Sequence, residues 1–376
     1  MSSKLTNLAL VLALTTVATS SQAMAADRAN DDANLNPQMK KAKDFHRQGK
    51  FKEASDAYRE VIRLEPNNAP AHQSLGAVLA GLGTIAPDEK TRKDLDETAI
   101  LEEKQAIKLD PKFHLPHIVL GQIYANQGKF EEAIKEFKTA AELKPDSFST
   151  QIDLGQIYLK TGALDDALKA YRRATEIKPD KATAYINMGV VQQNLGDYPA
   201  AIESELKGIS LQKNPYELQA ASLNLANVYA DSGESDKAIK YYQDAYKLNP
   251  NDVMPLSGIG WMQSAKGDYV TAIATQRKVI KQAGKNQIVE SIARARMATA
   301  LSRKGDTAEA EKEFQKVMIT KPLHPVAVME YGYYLEKAGR KSEAKSQFEK
   351  ALTIQPTFKP AKEALAKLDS SKSDTK

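Results

Sequence analysis

Apolar and small residues return along this chain in two alternating beats. From His114 onward, His117, Leu120, Gly121 and Tyr124 stand at i, i+3, i+4 and i+7, the spacing of one face of an α-helix. Gly128 interrupts the pattern, and Ala133, Phe137 and Ala140 then mark the face of a second helix. Pro145 ends that helix, because proline has no amide hydrogen and its ring clashes with the preceding turn. The same slots come back from Phe148 as Leu154, Gly155, Tyr158, Gly162, Ala167, Tyr171, Ala174 and Pro179. They come back again from Gln219 as Leu225, Ala226, Tyr229, Gly233, Ala238, Tyr242, Ala245 and Pro250. Each slot has a physical reason. A Gly or Ala in slots 8 and 20 lets two helices approach closely. The Gly in slot 15 suits a left-handed turn after the first helix, and the aromatic in slot 24 fills the space between helices.

The step from Pro111 to Pro145 recurs from Pro145 to Pro179 and from Pro322 to Pro356. The steps from Pro66 to Pro111, from Pro179 to Pro250 and from Pro250 to Pro322 are one or two such periods with a small insertion. A fixed period of this length marks an array in which each repeat buries its apolar face against its neighbours. Nine repeats fit, starting at Leu35, Ala69, His114, Phe148, Ala182, Gln219, Val253, Ser291 and Pro325, and they occupy 35–358. No room remains there for a separate catalytic domain. Two repeats are weak. The fifth carries Glu205 in slot 24 and Gly208 in slot 27, and the seventh carries Gln276 and Gly284 in slots 24 and 32. Extra residues follow both, at 216–218 and 287–290, and looser packing is expected there. The insertion at 84–94 reads as a longer loop or an extended second helix, with a docking loop as the functional alternative. After the array, 359–368 place Ala361, Ala364, Leu365 and Leu368 on one face, as a capping helix requires. The Ser- and Lys-rich tail at 369–376 is expected to be disordered.

The slots resemble the tetratricopeptide repeat, a helix–turn–helix of about 34 residues, over most of the chain. The resemblance implies an all-α fold: a right-handed α-solenoid of about nine such repeats with a C-terminal capping helix. It also implies that first helices line a concave groove where a protein or peptide partner docks, through slots 2, 5, 6, 9, 12 and 13. Here those slots give Gln122, Gln156, Asn187, Asn194, Asn224 and Asn227, an amide-rich stripe beside Asp153. Amides both donate and accept, so the stripe suits the backbone of an extended peptide, or else is a solvated polar face. Trp261, the only tryptophan, falls in slot 9, where it reads either as a partner contact or as packing beside an irregular repeat. Arg296 and Arg303 fall one repeat on, in slots 6 and 13, within reach of a partner carboxylate. The two-carboxylate clamp that some members of the family use is disfavoured, because Leu223, Gly258 and Ile292 stand where it needs polar residues.

Composition narrows the chemistry. There are 53 basic and 48 acidic residues, mixed along the helices rather than clustered, which argues against nucleic acid as the partner. With no cysteine, the chain has no disulfide, thiolate metal site, cysteine nucleophile or lipoprotein-type acyl anchor. No phosphate loop, nucleophile elbow or zinc-protease motif is present. His117 and His72 occupy packing slots, which favours a core role over a metal ligand. No catalytic residue, metal or cofactor is expected.

Residues 1–25 read as a signal peptide. Lys4 is followed by the apolar run Leu8 to Leu14, and Ala23-Met24-Ala25 fits a small-x-small cleavage site before Ala26. The run is short of the ~20 residues a membrane span needs, so no stable anchor is expected after cleavage. A flexible lead-in at 26–34 would precede the array. The expected protein is an exported scaffold, periplasmic or secreted from a bacterium, that binds a protein or peptide. The alternatives are an accessory subunit in glycan processing or secretion, and a purely architectural oligomer, self-association being compatible with the array.

Overall fold

A computed structural model describes residues 36–356 and 358–370; 1–25 and 26–34, expected as signal peptide and lead-in, and 371–376 of the expected tail lie outside them. The described residues form nineteen helices and no strand. In chain order the hairpins are α1 (Pro37–Arg47) with α2 (Phe51–Leu64), α3 (Ala69–Thr84) with α4 (Glu89–Leu109), α5 (His114–Asn126) with α6 (Phe130–Leu143), and α7 (Phe148–Thr161) with α8 (Leu164–Ile177). They continue as α9 (Ala182–Leu195) with α10 (Tyr198–Leu211), α11 (Pro215–Asp231) with α12 (Ser235–Leu248), and α13 (Met254–Ala265) with α14 (Tyr269–Ala283). The last are α15 (Gln287–Lys304) with α16 (Thr307–Ile319) and α17 (Pro325–Lys337) with α18 (Lys341–Ile354), followed by the single helix α19 (Lys359–Ser370). These are nine hairpins of an α-solenoid, with one closing helix. They form two compact bodies, 36–184 and 185–370, and α9 begins in the first.

The turn glycine works as its slot demands. Gly49, Gly128, Gly162, Gly196, Gly233, Gly267, Gly305 and Gly339 all have φ between 71° and 109°, a region closed to most L-residues. Gly83 is the exception. It stays inside α3, because the insertion replaces the tight turn: Asp88 caps α4 by accepting from the Thr91 amide at 2.8 Å, and α4 runs for 21 residues. Residues 89–94 of the insertion therefore extend the second helix, and 85–88 form the connection to it.

The joints expected to be loose are helical. Asn214 accepts from the Tyr216 amide at 2.9 Å and Asn286 from the Val289 amide at 3.2 Å. Each cap starts the next first helix early, so the extra residues become an added first turn of α11 and α15. Pro215 sits at the first position of its helix, where its missing amide hydrogen costs nothing.

Packing follows the small-residue slots. In the first body, a Cβ on Gly121 would meet the Phe137 ring at 2.7 Å, and one on Gly155 would meet the Tyr171 ring at 2.4 Å. In the second body, Gly332 has the same relation to Phe348. The ring in slot 24 thus lies on the bare backbone in slot 8. The weak fifth repeat keeps the geometry with other chemistry, since the Glu205 side chain lies over Gly189 and is fully buried. In the seventh repeat Gln276 lies over Gly260, accepts from the Ser257 hydroxyl at 3.0 Å and donates to the Ser257 carbonyl at 2.8 Å.

The closing helix reaches further than a cap on the last repeat. Lys359 Nζ donates to the Asn194 carbonyl at 2.8 Å, so the last helix of the second body touches its first. It also runs to Ser370, two residues beyond its expected end, and Asp369 pairs with Lys345 Nζ at 3.1 Å.

Candidate functional site

Within each body, first helices of neighbouring repeats lie side by side: α5 by α7, α13 by α15, and α15 by α17. Residues in slot 9 of one repeat meet slot 6 of the next. Gln122 Nε2 donates to Asp153 Oδ2 at 3.2 Å, and Thr299 Oγ1 donates to Glu330 Oε2 at 2.7 Å. Trp261 and Arg296 occupy the same two slots, and the Arg296 guanidinium lies 5.9 Å from the indole centre. Arg303, two turns further along α15, brings its guanidinium to 5.3 Å from the same ring. Two cations at one indole ring form a cation–π cluster, held by the negative charge above the ring plane.

The sequence predicted these residues as an open lining, and the structure buries several of them. Trp261 is 7% exposed and Arg296 3%, and Asn194, Asn224 and Asn227 are buried as well. Gln122, Gln156, Asn187 and Arg303 remain half-exposed. The buried ones are occupied internally. Arg296 Nη1 donates to Ser257 Oγ at 3.0 Å, Asn227 Oδ1 accepts from the Tyr242 hydroxyl at 2.6 Å, and Asn194 Nδ2 donates to the Val190 carbonyl at 2.9 Å. Of the two readings of Trp261, the structure supports packing. Neighbouring first helices approach closely enough to remove the lining from water, which helical periodicity alone does not reveal.

Burial sets the charge states. It pushes Asp153 up to about 7 despite the hydrogen bond from Gln122. It pushes Glu330 to about 7 as well, against the Thr299 hydrogen bond and the charges of Arg296 and Arg303. His324 caps α17 and is held down at about 4, first by burial and then by Arg296, so it is neutral at physiological pH. Beside Glu330 opens a cleft lined by Thr299, Ser302, Arg303, Glu330, Tyr333, Tyr334 and Lys337.

Pattern reading missed some pairs that recur. His72 Nδ1 lies 2.6 Å from Glu102 Oε2, and His117 Nδ1 lies 2.6 Å from Glu136 Oε2. Both pairs join slots 4 and 23, so a His in slot 4 with a Glu in slot 23 was the available signal. Among the described residues, no group of three or more His, Asp or Glu is placed to hold a metal ion. Among them also, no helix is long and apolar enough to cross a membrane.

Comparison with known families agrees with this geometry. Profiles described as TPR repeat match 42–83, 121–162 and 155–196, and profiles described as tetratricopeptide repeat match 220–252 and 296–357, together more than half the chain. The chain belongs to the tetratricopeptide repeat family. Tetratricopeptide repeats mediate protein–protein interaction, and no catalytic domain is indicated beside them. Among curated relatives, the Photosystem I assembly protein Ycf3 of Synechococcus sp. (strain WH7803) is 33% identical over 75 residues, 20% of this chain and 43% of that protein. Its counterpart in Acaryochloris marina (strain MBIC 11017) is 29% identical over 79 residues, 21% of this chain and 48% of that one. This tetratricopeptide repeat chain thus spans about half the length of the curated relatives it matches. A solved tetratricopeptide repeat protein from Parabacteroides merdae ATCC 43184 superposes with a TM-score of 0.57 at 19% identity, covering 68% of this chain and 98% of that one, a likeness of fold.

Proposed function

We propose that this chain is an exported, non-enzymatic scaffold that binds a peptide segment or protein partner along the polar face of its first helices, in the bacterial periplasm or outside the cell. The observation that carries the binding reading is the half-exposed polar row. In the first body Gln122 and Gln156 occupy slot 9 of consecutive repeats, and the second body, taken by itself, has its own half-exposed polar positions at Asn187 and Arg303. Amides at a helical-repeat spacing offer paired donors and acceptors to a chain lying across them. The family's role in protein–protein interaction and the assembly role in the names of its curated relatives support the same reading. Export rests on the leader: a charged start, a short apolar run and the Ala23-Met24-Ala25 site.

The test is capture from envelope extract with residues 26–376, followed by titration of the captured partner against the purified chain. Gln156→Arg with Asn187→Arg places a bulky cation at a half-exposed position of each body without replacing a buried residue. The double variant is expected to lose the partner while keeping its helical circular dichroism. Undiminished binding by the folded variant would exclude this face. For export, the segment from Met1 to Lys40 fused to a reporter active only outside the cytoplasm should give activity, with an N-terminus at Ala26 by sequencing.

A further inference from the structure

We infer that the cleft between α15 and α17 receives an acidic side chain of the bound peptide, held between Arg303 and Lys337 and flanked by Tyr333. This inference rests on the peptide-binding reading above and gives it a ligand chemistry.

Arg303 and Lys337 occupy slot 13 of consecutive repeats and line one cleft. Other cations nearby are engaged with acids. Arg294 bridges Glu290 and Glu313, Lys316 pairs with Glu313, Lys304 with Asp306, and Arg340 with Glu311 and Glu343. Among the described residues, neither Arg303 nor Lys337 has an acid within salt-bridge distance. Arg303 is also held in place, its guanidinium 5.3 Å from the centre of the Trp261 ring. A cation fixed before binding loses little rotamer freedom when an anion arrives, which favours affinity.

The size of the charge selects the ligand. Glu330 stands at the cleft under the charges of Arg296 and Arg303 and beside Tyr333, with Thr299 donating to it at 2.7 Å, and Lys337 lines the same cleft. One internal acid against the two cleft cations leaves an excess that suits a single carboxylate. A dianionic phosphate would meet Glu330. A terminal carboxylate is less suited, because the repeats on that side offer buried Gly258 and Ile292 where a chain end would need polar partners.

The test uses the full chain and four fluorescein-labelled dodecapeptides on one Gly/Ser background. Two are C-terminally amidated with two glutamates or two glutamines, one is amidated with two phosphoserines at the same places, and one is neutral with a free C-terminus. Anisotropy reads affinity, and the emission of Trp261, the only tryptophan, reports on Arg303, whose guanidinium lies 5.3 Å from its ring centre. The glutamate peptide is expected to bind about tenfold or more tighter than the glutamine peptide and to shift Trp261 emission. Arg303→Gln with Lys337→Gln should remove that advantage, leave the glutamine peptide unaffected and keep the helical signal. Lys337→Gln alone should lower glutamate affinity severalfold, and Arg303→Lys should retain most of it. Equal binding of the glutamate and glutamine peptides overturns the carboxylate site and leaves the peptide-binding face standing. So does undiminished glutamate binding by a folded Lys337→Gln variant. Tighter binding of the phosphoserine peptide, or of the free C-terminus, overturns the choice of an acidic side chain. Failure of all four peptides to bind overturns the inference, while the face itself stands or falls on the captured partner.

Discussion

Gln122 donates to Asp153 across two neighbouring first helices, and the partners are 31 residues apart. Thr299 and Glu330 repeat the relation in the second body at the same separation. A rung from slot 9 to slot 6 is therefore a feature of the array, and Trp261 with Arg296 is its cation–π version. These rungs use polar side chains that pattern reading assigned to a partner.

The acid rungs make stability depend on pH. Unfolded, Asp153 and Glu330 titrate near pH 4; folded, burial holds both at about 7. Their folded pKa is raised, so the folded state binds more protons and the stabilising contribution is complete below about pH 4. It is lost as pH rises through about 7. Melting temperature should fall between pH 5 and pH 8. Asp153→Asn, which still accepts from Gln122, should flatten the fall and melt higher than wild type at pH 8, by up to about 4 kcal/mol of stability. A variant with the wild-type slope would show that Asp153 is ionised in the fold.

The slot 8 and slot 24 contacts predict unequal responses to one methyl group. At Gly155 a Cβ would lie 2.4 Å from the rigid Tyr171 ring, and at Gly189 it would lie 2.9 Å from Cγ of the flexible Glu205 side chain. Gly155→Ala should cost about 1–3 kcal/mol, the range for overpacking a close-packed contact, and Gly189→Ala less. Denaturant titrations give both numbers, and the reverse order would contradict the packing described.

Glu205 is a carboxyl in an aromatic slot. It is fully buried, neither carboxyl oxygen has a hydrogen-bond partner among the described residues, and burial holds its pKa well above the usual carboxylate range. Glu205→Met keeps comparable length and removes the polar atoms, and should raise stability at pH 8 by about 1–3 kcal/mol. Because ionisation adds to the cost of the unpartnered oxygens, the gain should shrink toward pH 4, where the acid is neutral. A loss of stability at pH 8 would mean that the carboxyl serves a bound partner or ion.

Trp261 is a built-in reporter of lining burial. At 7% exposure and with two guanidinium groups 5.9 and 5.3 Å from its ring centre, its emission should be blue-shifted relative to the unfolded chain and poorly quenched by acrylamide. Ready quenching would restore the exposed position that slot 9 suggested.

Much of the fold was legible because the repeat is local. Gly128, Gly162 and Gly233 mark turns at positive φ, and Phe137 and Tyr171 lie over Gly121 and Gly155 as their slots require. The extra residues 216–218 and 287–290, expected to pack loosely, are helical because Asn214 and Asn286 cap the next helix early, and a fixed template does not ask where the next helix starts. The candidate site was half legible. Slots 6, 9 and 13 do gather Trp261, Arg296, Arg303 and Glu330, but helical spacing assigns a face without saying what else occupies it.

By itself, then, the sequence determined the helices, their pairing and the array, since a short fixed period needs only backbone preferences and neighbouring contacts. Tertiary structure alone decided which polar residues remain available. Neighbouring helices sink Trp261, Arg296 and Asn227 into internal contacts and leave Gln156, Asn187 and Arg303 half in water. It also brought Lys359 to the carbonyl of Asn194, 165 residues away. Such distances come from the small rotation between one repeat and the next, summed over several repeats, and no single repeat's sequence carries that sum.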